Sequence, residues 1–281
     1  MFGELKQGIQ APENTPFNVA SLTKPVVAIT VLRLVNAGMW NLDESLDSFW
    51  IDPDVKDDPR HKLLTTRIIL SHQTGFPNWR DKKLNFKFTP GTGSGYSGEG
   101  YEYLRHAVES KFGKKLQPLS DSLLFHPLGL KDTRYGWQQD MDTSRYAIPH
   151  DKTGNIINIT RHETANAADW LVTTVADYGR FGAYVLQGAG ISEELFNDMA
   201  TPQSKNIASK NAMGLGWGIE KKLFNGEYAL LHTGHDPGVS SMIVLLPQST
   251  RGLVLLSNGD SAWKLFINIV NATFHIEGLT P

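Results

Sequence analysis

From Ser21 onward Val26, Val27, Ile29, Thr30, Leu34 and Val35 recur with helical spacing, and Asn36-Ala-Gly38 ends the pattern. Pro25 is compatible with this helix because it falls in the first turn, where backbone N–H groups lack intrahelical acceptors. Upstream, residues 1–16 are polar and hold two prolines, with at most the tail of a strand near Leu5. An acidic, turn-rich stretch runs from Asp43 to Arg60, and a helix is expected over residues 65–71. Residues 80–100 are glycine-rich and irregular. Helical spacing returns over 101–111 and again over 164–186, where Asp177 is the expected cap.

Past residue 212 the period changes. Stretches 214–218, 228–232, 240–246 and 252–257 read as strands separated by Gly, Asn and Pro turns, and an amphipathic helix fits 262–274. The expected class is α+β: an antiparallel β-sheet flanked by helices, with an inserted mostly helical region. The expected division is 1–62 with 200–281 for the sheet part and 63–199 for the insertion.

Composition narrows the chemistry. The chain has 281 residues, 40% hydrophobic and 20% charged, ordinary globular values. Its 27 Lys+Arg against 29 Asp+Glu give a net charge of -2, no footprint for nucleic acid. Cysteine is absent, which excludes disulfides, thiolate metal sites and a Cys nucleophile. No apolar run approaches the ~18–20 residues of a spanning helix. The first residues lack the basic start and apolar core of a signal peptide.

Several motifs are decoys. Gly93-Ser-Gly95-Tyr-Ser-Gly98 matches the dinucleotide-binding glycine pattern, but no βαβ unit surrounds it. His162-Glu163 lacks a second histidine at zinc-helix spacing, and His232 with His235 would be a lone pair, so no metal is expected. No serine has glycine at both -2 and +2, which removes the nucleophile elbow. Asn158-Ile-Thr160 and Asn271-Ala-Thr273 are formal glycosylation triplets.

Ser21-Leu-Thr-Lys24 sets a hydroxyl and an amine on one helix face, near an N-terminus that favours developing negative charge. A lysine can serve as base to a serine when desolvation lowers its pKa. Ser261-Ala-Trp-Lys264 repeats the tetrad at another helix start. Order separates them. After Ser21 come Leu70-Ser-His-Gln-Thr-Gly75, Phe88-Thr-Pro-Gly91, Tyr96-Ser-Gly-Glu-Gly-Tyr-Glu-Tyr-Leu104, Gly214-Leu-Gly-Trp-Gly218 and Leu231-His-Thr-Gly-His-Asp-Pro-Gly238; Ser261 follows them all.

In this ordered set the chain resembles the serine β-lactamase and penicillin-binding-protein superfamily, nearest the branch of class C β-lactamases, DD-peptidases and related esterases. The resemblance implies that Ser21 is the acylated nucleophile, Lys24 its general base and Tyr96 a partner in proton transfer. It implies an oxyanion hole from the backbone N–H groups of Ser21 and His235, and a substrate-binding strand at His232, Thr233 and Gly234. No cofactor is implied; the expected substrate is a small ester, amide or lactam, and a periplasmic or extracytoplasmic setting is favoured. Oligomeric state is left open. Two positions depart from the family pattern. Gly98 replaces an asparagine that contacts a substrate's acylamide, with Glu99 adjacent to that space, and His232 replaces a lysine. The family also has one or two strands before the nucleophile, so either the chain begins late or the sheet lacks an edge strand.

The functional expectation is a serine hydrolase acting through a Ser21 acyl-enzyme on small esters, D-amino-acid peptides or, weakly, β-lactams. The alternative is a catalytically idle peptide- or peptidoglycan-binding module that keeps the fold. His72 and Thr74 are expected to hold a turn, and Trp79, Tyr135, Trp137, Trp170 and Trp217 are candidates to wall an acyl pocket.

Overall fold

A computed structural model describes residues 3–138, 141–158, 162–203, 212–221, 223 and 226–275. The elements in chain order begin with β1 (Glu4–Lys6), β2 (Ile9–Gln10), β3 (Pro16–Asn18), α1 (Thr23–Asn36), α2 (Thr66–Leu70) and α3 (Gly98–Phe112). Next come α4 (Leu116–Ser120), α5 (His126–Leu128), β4 (Arg134–Tyr135), β5 (Leu171–Thr174), α6 (Val175–Leu186) and α7 (Glu193–Met199). The chain closes with β6 (Ala212–Met213), β7 (Gly218–Glu220), β8 (Ala229–Asp236), β9 (Val239–Leu246), β10 (Arg251–Ser257) and α8 (Trp263–Phe274). The architecture is α+β with antiparallel sheets. The glycosylation triplet at Asn158 extends outside the described residues.

The five-stranded sheet runs β10-β9-β8-β7-β6, all antiparallel. Side-chain alternation gives it two working faces. Ala229, Leu231, Met242, Val244 and Leu246 pack on Phe266, Val270 and Phe274 of α8. Leu230, Ile243 and Leu245 join the main core with α1. The alternation continues past Leu231, so His232 and Gly234 share the α1 side, while the ring of His235 turns to Trp263 at the head of α8. Pairing of β7 with β8 stops at Gly218↔Leu231. The segment 232–236 therefore leaves one edge without a partner strand among the described residues.

A second, three-stranded sheet has the order β3-β5-β4. The helical pattern over 164–186 is thus corrected: Leu171–Thr174 is a strand, and the helix starts at Val175. The stretch Leu-Val-Thr-Thr is β-branched and fully buried, so pairing with Phe17 and Arg134 prevails over helical periodicity. The cap is Thr174, whose side chain accepts from Asp177 N, rather than Asp177. Residues 214–218 are likewise mostly a turn between β6 and β7, because Gly216 takes φ +84°. β1 and β2 form a separate hairpin. We propose the same two-part division of the chain with one change: α6, which packs on β10, β9 and β5, belongs with the sheet part.

Helix α1 is the hub. Eleven of its residues are buried, from Thr23 through Leu34, and apolar side chains surround it as they do a helix threaded through a core. Its N-terminal turn is fastened from two directions. Ser241 Oγ on β9 donates to Val19 O at 2.7 Å, and Tyr178 OH on α6 donates to Leu22 O at 2.6 Å. Strand β8 crosses this turn so closely that a Cβ on Gly234 would collide with Val19 O and Ser241 Oγ, and would stand 3.0 Å from Ser21 N. The colliding atoms are backbone and a hydrogen-bonded hydroxyl, neither free to move aside. Gly234→Ala should therefore cost about 1–3 kcal/mol, the usual penalty of overpacking. Differential scanning calorimetry should show the melting temperature falling by several degrees, and an unchanged melt would refute the close approach.

Candidate active site

The left-handed turn at Ala20 delivers Ser21. Ala20 has φ +47°, a conformation that costs a non-glycine residue of order 1–3 kcal/mol unless its surroundings enforce it. Here they do. Ala20 N donates to Asn18 Oδ1 at 2.8 Å, Thr23 Oγ1 donates to Ala20 O at 2.7 Å, and Asn18 Nδ2 reaches Asp236 Oδ2 at 3.0 Å. Two further left-handed residues border the site, His72 at φ +56° and Trp170 at φ +65°.

Lys24 is one helical turn from Ser21 and is 1% exposed. Its Nζ lies 3.0 Å from Ser21 Oγ and donates to Ala168 O at 2.8 Å. Burial pushes the amine down to about 7, against the opposing pull of Asp169, Asp236 and Glu102. Near neutrality a large fraction of Lys24 is thus unprotonated and able to accept a proton.

Tyr96 leaves its ring half in solvent but holds its hydroxyl within hydrogen-bond reach of Ser21. Burial raises this phenol well above its ordinary range, with only partial relief from the bond to Ser21. It is therefore a neutral hydroxyl rather than a phenolate. Its ring sits between Lys24 Nζ, 4.6 Å from the centroid, and the imidazole of His72, whose centroid is 4.3 Å away. His72 is a positioning residue that the sequence reading reduced to a turn. The turn is real, with Gly95 N donating to His72 O and Phe76 N donating to Thr74 Oγ1. Beyond that, His72 Nδ1 accepts from Ser97 N at 3.1 Å, which ties the residue after Tyr96 to the shelf below it.

His232 faces the same space, 6.3 Å from the Tyr96 ring centroid to centroid. Its Nδ1 is 2.9 Å from Thr233 O, which fixes the Nδ1–H tautomer. Burial, aided by Lys24, pushes its pKa down to about 3. The imidazole is therefore neutral at pH 7. Asp169 and Asp236 lie close enough together to shift each other's acidity. Burial, and then the neighbouring Asp236, push Asp169 up to about 7, and burial also raises Asp236. Neither aspartate was singled out from sequence, since no motif spacing distinguishes a half-buried pair 67 residues apart in the chain.

The two altered positions have explicit surroundings. Gly98 begins α3, capped by Ser97. A Cβ there would meet Trp79 Cη2, Cζ2 and Cζ3 at 2.7, 2.8 and 3.0 Å. Glu99 does not intrude on the substrate space. Its carboxylate accepts from Arg80 N and from the Arg80 guanidinium, which also binds Asp52 and Asp54, so the charge is consumed in an internal network. Of the aromatic candidates, Trp137 and Trp170 line a cavity of about 300 Å³ together with Tyr146. Asn18 and Asp236 form its border with the Ser21 turn. Tyr135 and Trp217 are core residues with no exposed surface. Ser261 and Lys264 of the second tetrad lie exposed at the head of α8.

Among the described residues no group of three or more His, Asp or Glu is arranged to hold a metal, and no helix is long and apolar enough to cross a membrane. What remains is a hydroxyl in contact with a low-pKa amine, with the ring of Tyr96 against that amine, beside the free edge of a strand.

Known proteins share this arrangement of the chain. Penicillin-binding protein 4* of Bacillus subtilis is 23% identical over 98% of this chain and 68% of its own length. Esterase EstB of Burkholderia gladioli is 29% identical over 49% of this chain and 42% of its own. The crystal structure of a penicillin-binding protein from Bacillus halodurans superposes with a TM-score of 0.81 at 20% identity, covering 97% of this chain and 91% of the other. The family pattern described as Beta-lactamase matches residues 1–267. The chain belongs to the Beta-lactamase family.

Proposed function

We propose that this protein is a serine hydrolase that forms an acyl-enzyme on Ser21, acting best on small uncharged esters and more slowly on amides. The observation that carries the proposal is the 3.0 Å contact of Ser21 Oγ with a buried Lys24 amine whose pKa lies near 7. In this reading Lys24 takes the Ser21 proton as Oγ attacks the carbonyl carbon. Tyr96, too weak an acid to ionise, passes a proton between Ser21, Lys24 and the leaving group through its neutral hydroxyl. The backbone N–H groups of Ser21 and His235 stabilise the oxyanion, commonly worth about 3–4 kcal/mol per donor. Water then releases the acyl group by the reverse relay. The kinship with an esterase supports ester substrates.

Specificity follows from charge. A neutral His232 offers no cation to a substrate carboxylate, and the Asp169–Asp236 pair stands on the same side as Lys24. This disfavours β-lactams, which carry a carboxylate, and favours neutral esters.

The test is a fluorophosphonate probe with intact-mass readout, followed by ester hydrolysis. A stoichiometric adduct that disappears in Ser21→Ala, with loss of all turnover, is expected. Absence of any adduct would leave a binding module instead. The pH profile has a defined sign. Protonated Lys24 cannot accept the Ser21 proton, so kcat/KM should rise as pH climbs through about 7 and then level off. Neither His72 nor His232 accounts for that limb, since burial lowers both. Asp169→Asn removes a charge that raises the Lys24 pKa, so the limb should move to lower pH; a fixed or upward-shifted limb would remove Lys24 from the base role. Matched p-nitrophenyl esters of a neutral acid and a dicarboxylic half-acid should differ by roughly tenfold or more in kcat/KM, favouring the neutral one. Equal rates would show that the cleft's charge does not select.

A further inference from the structure

We infer that Trp79 is a specificity-determining residue: its indole closes the part of the cleft beside Tyr96 and restricts the enzyme to acyl groups without an acylamino substituent. This rests on the serine hydrolase reading and names the substrate class within it.

Ser97 is extended, at φ -143° and ψ 113°. Across an extended residue, neighbours two apart point to one side. Gly98 therefore presents its missing side chain on the side where Tyr96 reaches Ser21, while Ser97 Oγ turns the other way to Pro77 O and Gly100 N. The carbon end of the Trp79 ring occupies that vacancy, at 2.7–3.0 Å from where a Cβ would lie. Trp79 is nevertheless 44% exposed, a large apolar surface rather than a core residue.

The ring is held there from both flanks. Asn78 O accepts from Gly98 N and Glu99 N at 3.0 Å each, and Asn78 Oδ1 accepts from Gly98 N at 2.9 Å. On the other flank, Arg80 N donates to Glu99 Oε1 at 3.0 Å, and the Arg80 guanidinium binds Glu99, Asp52 and Asp54. The loop carrying Trp79 is thus fastened to the first turn of α3, and the indole is preset before any substrate arrives. An acyl chain lying along Tyr96 meets a flat carbon surface. A methylene chain gains contact there, whereas an amide loses water and finds no partner on the ring.

The geometry also bears on restoring an asparagine. In the presence of Trp79, Gly98→Asn places its Cβ 2.7–3.0 Å from three indole carbons, too close for the ring to keep its place. The glycine and the tryptophan are a matched pair.

The experiment compares p-nitrophenyl pentanoate with p-nitrophenyl N-acetylglycinate, chains of equal length that differ by an amide. Intrinsic reactivity cancels when each variant's kcat/KM ratio is divided by that of the wild type. Trp79→Ala should lower the pentanoate preference by roughly tenfold or more, and Trp79→Leu, which keeps an apolar side chain, should fall between. Gly98→Asn alone should lower both rates and the melting temperature. The double variant Trp79→Ala, Gly98→Asn should recover the melting temperature and favour the acetylglycinate further, a non-additive result. A Trp79→Ala enzyme with a native melt and a ratio within about threefold of wild type overturns the inference. Wild-type protein that hydrolyses neither ester and takes no fluorophosphonate at Ser21 overturns the hydrolase reading itself, a separate outcome from an active enzyme with an unmoved ratio.

Discussion

A lysine amine kept out of water is the constraint on which this structure turns. Lys24 has two polar contacts, Ser21 Oγ and Ala168 O, and otherwise lies under aromatic rings. An ammonium in such a place would be far from its hydrated state, and the site resolves the conflict by lowering the pKa. Desolvation to this degree requires that the first turn of α1 be covered from every side. The sheet covers it at Gly234, β5 through the Leu171 N to Thr23 Oγ1 bond, and α6 through Tyr178. Asp169 and Asp236 then keep the shift moderate, since burial alone would take the amine lower. Packing and acidity are the same fact seen twice.

Backbone strain collects around that amine. Ala20, His72 and Trp170 are all left-handed without being glycine, and each sets a group in the cleft. Ala20 aims Ser21; His72 forms the shelf under Tyr96; Trp170 donates its own N–H to Asp169 Oδ1 at 2.8 Å and stacks on His162. Glycine would relieve the strain at each position but would leave the side-chain work undone at His72 and Trp170. Such conformations persist only where neighbouring hydrogen bonds over-determine them, as the Asn18 and Thr23 bonds do at Ala20.

The tetrad at Ser21 and the company it keeps were legible because helical spacing fixes which side chains meet: residues three apart share a face whatever surrounds them. The β8–β9 hairpin was legible for a similar reason, its alternation being backed by Pro237-Gly238 at the turn. Leu171–Thr174 was not, because a four-residue buried run carries no periodicity of its own and its partners, Phe17 and Arg134, are distant in sequence. For the same cause Trp79 stood undistinguished among five aromatic candidates, and the aspartate pair was hidden. Nothing local to Asn78-Trp-Arg80 says that it will be fastened over Gly98; the Asn78 bonds to the start of α3 and the Arg80 ion pairs to Glu99 and Asp52, made across the chain, decide it. Glu99 shows the reverse error, a residue adjacent to the right place in sequence but aimed elsewhere by its partner.

Two departures at the cleft and one acidic pair have a single chemical direction. His232 removes a permanent cation, and its Nδ1–H bond to Thr233 O leaves an uncharged ring in its stead. Asp169 and Asp236 add a carboxyl pair that repels an anion when ionised. Gly98 with Trp79 exchanges an amide's hydrogen bonds for an apolar face. Each change alone would weaken recognition of a charged, acylamino-bearing substrate; together they leave no polar reader for it while sparing Ser21, Lys24 and Tyr96. Loss of function by drift would be expected to strike the buried lysine early, because an isolated buried amine destabilises the fold and any apolar replacement relieves it. Lys24 is fully enclosed and in contact with Ser21, a costly placement that the proposed acyl transfer would use and a binding module would not.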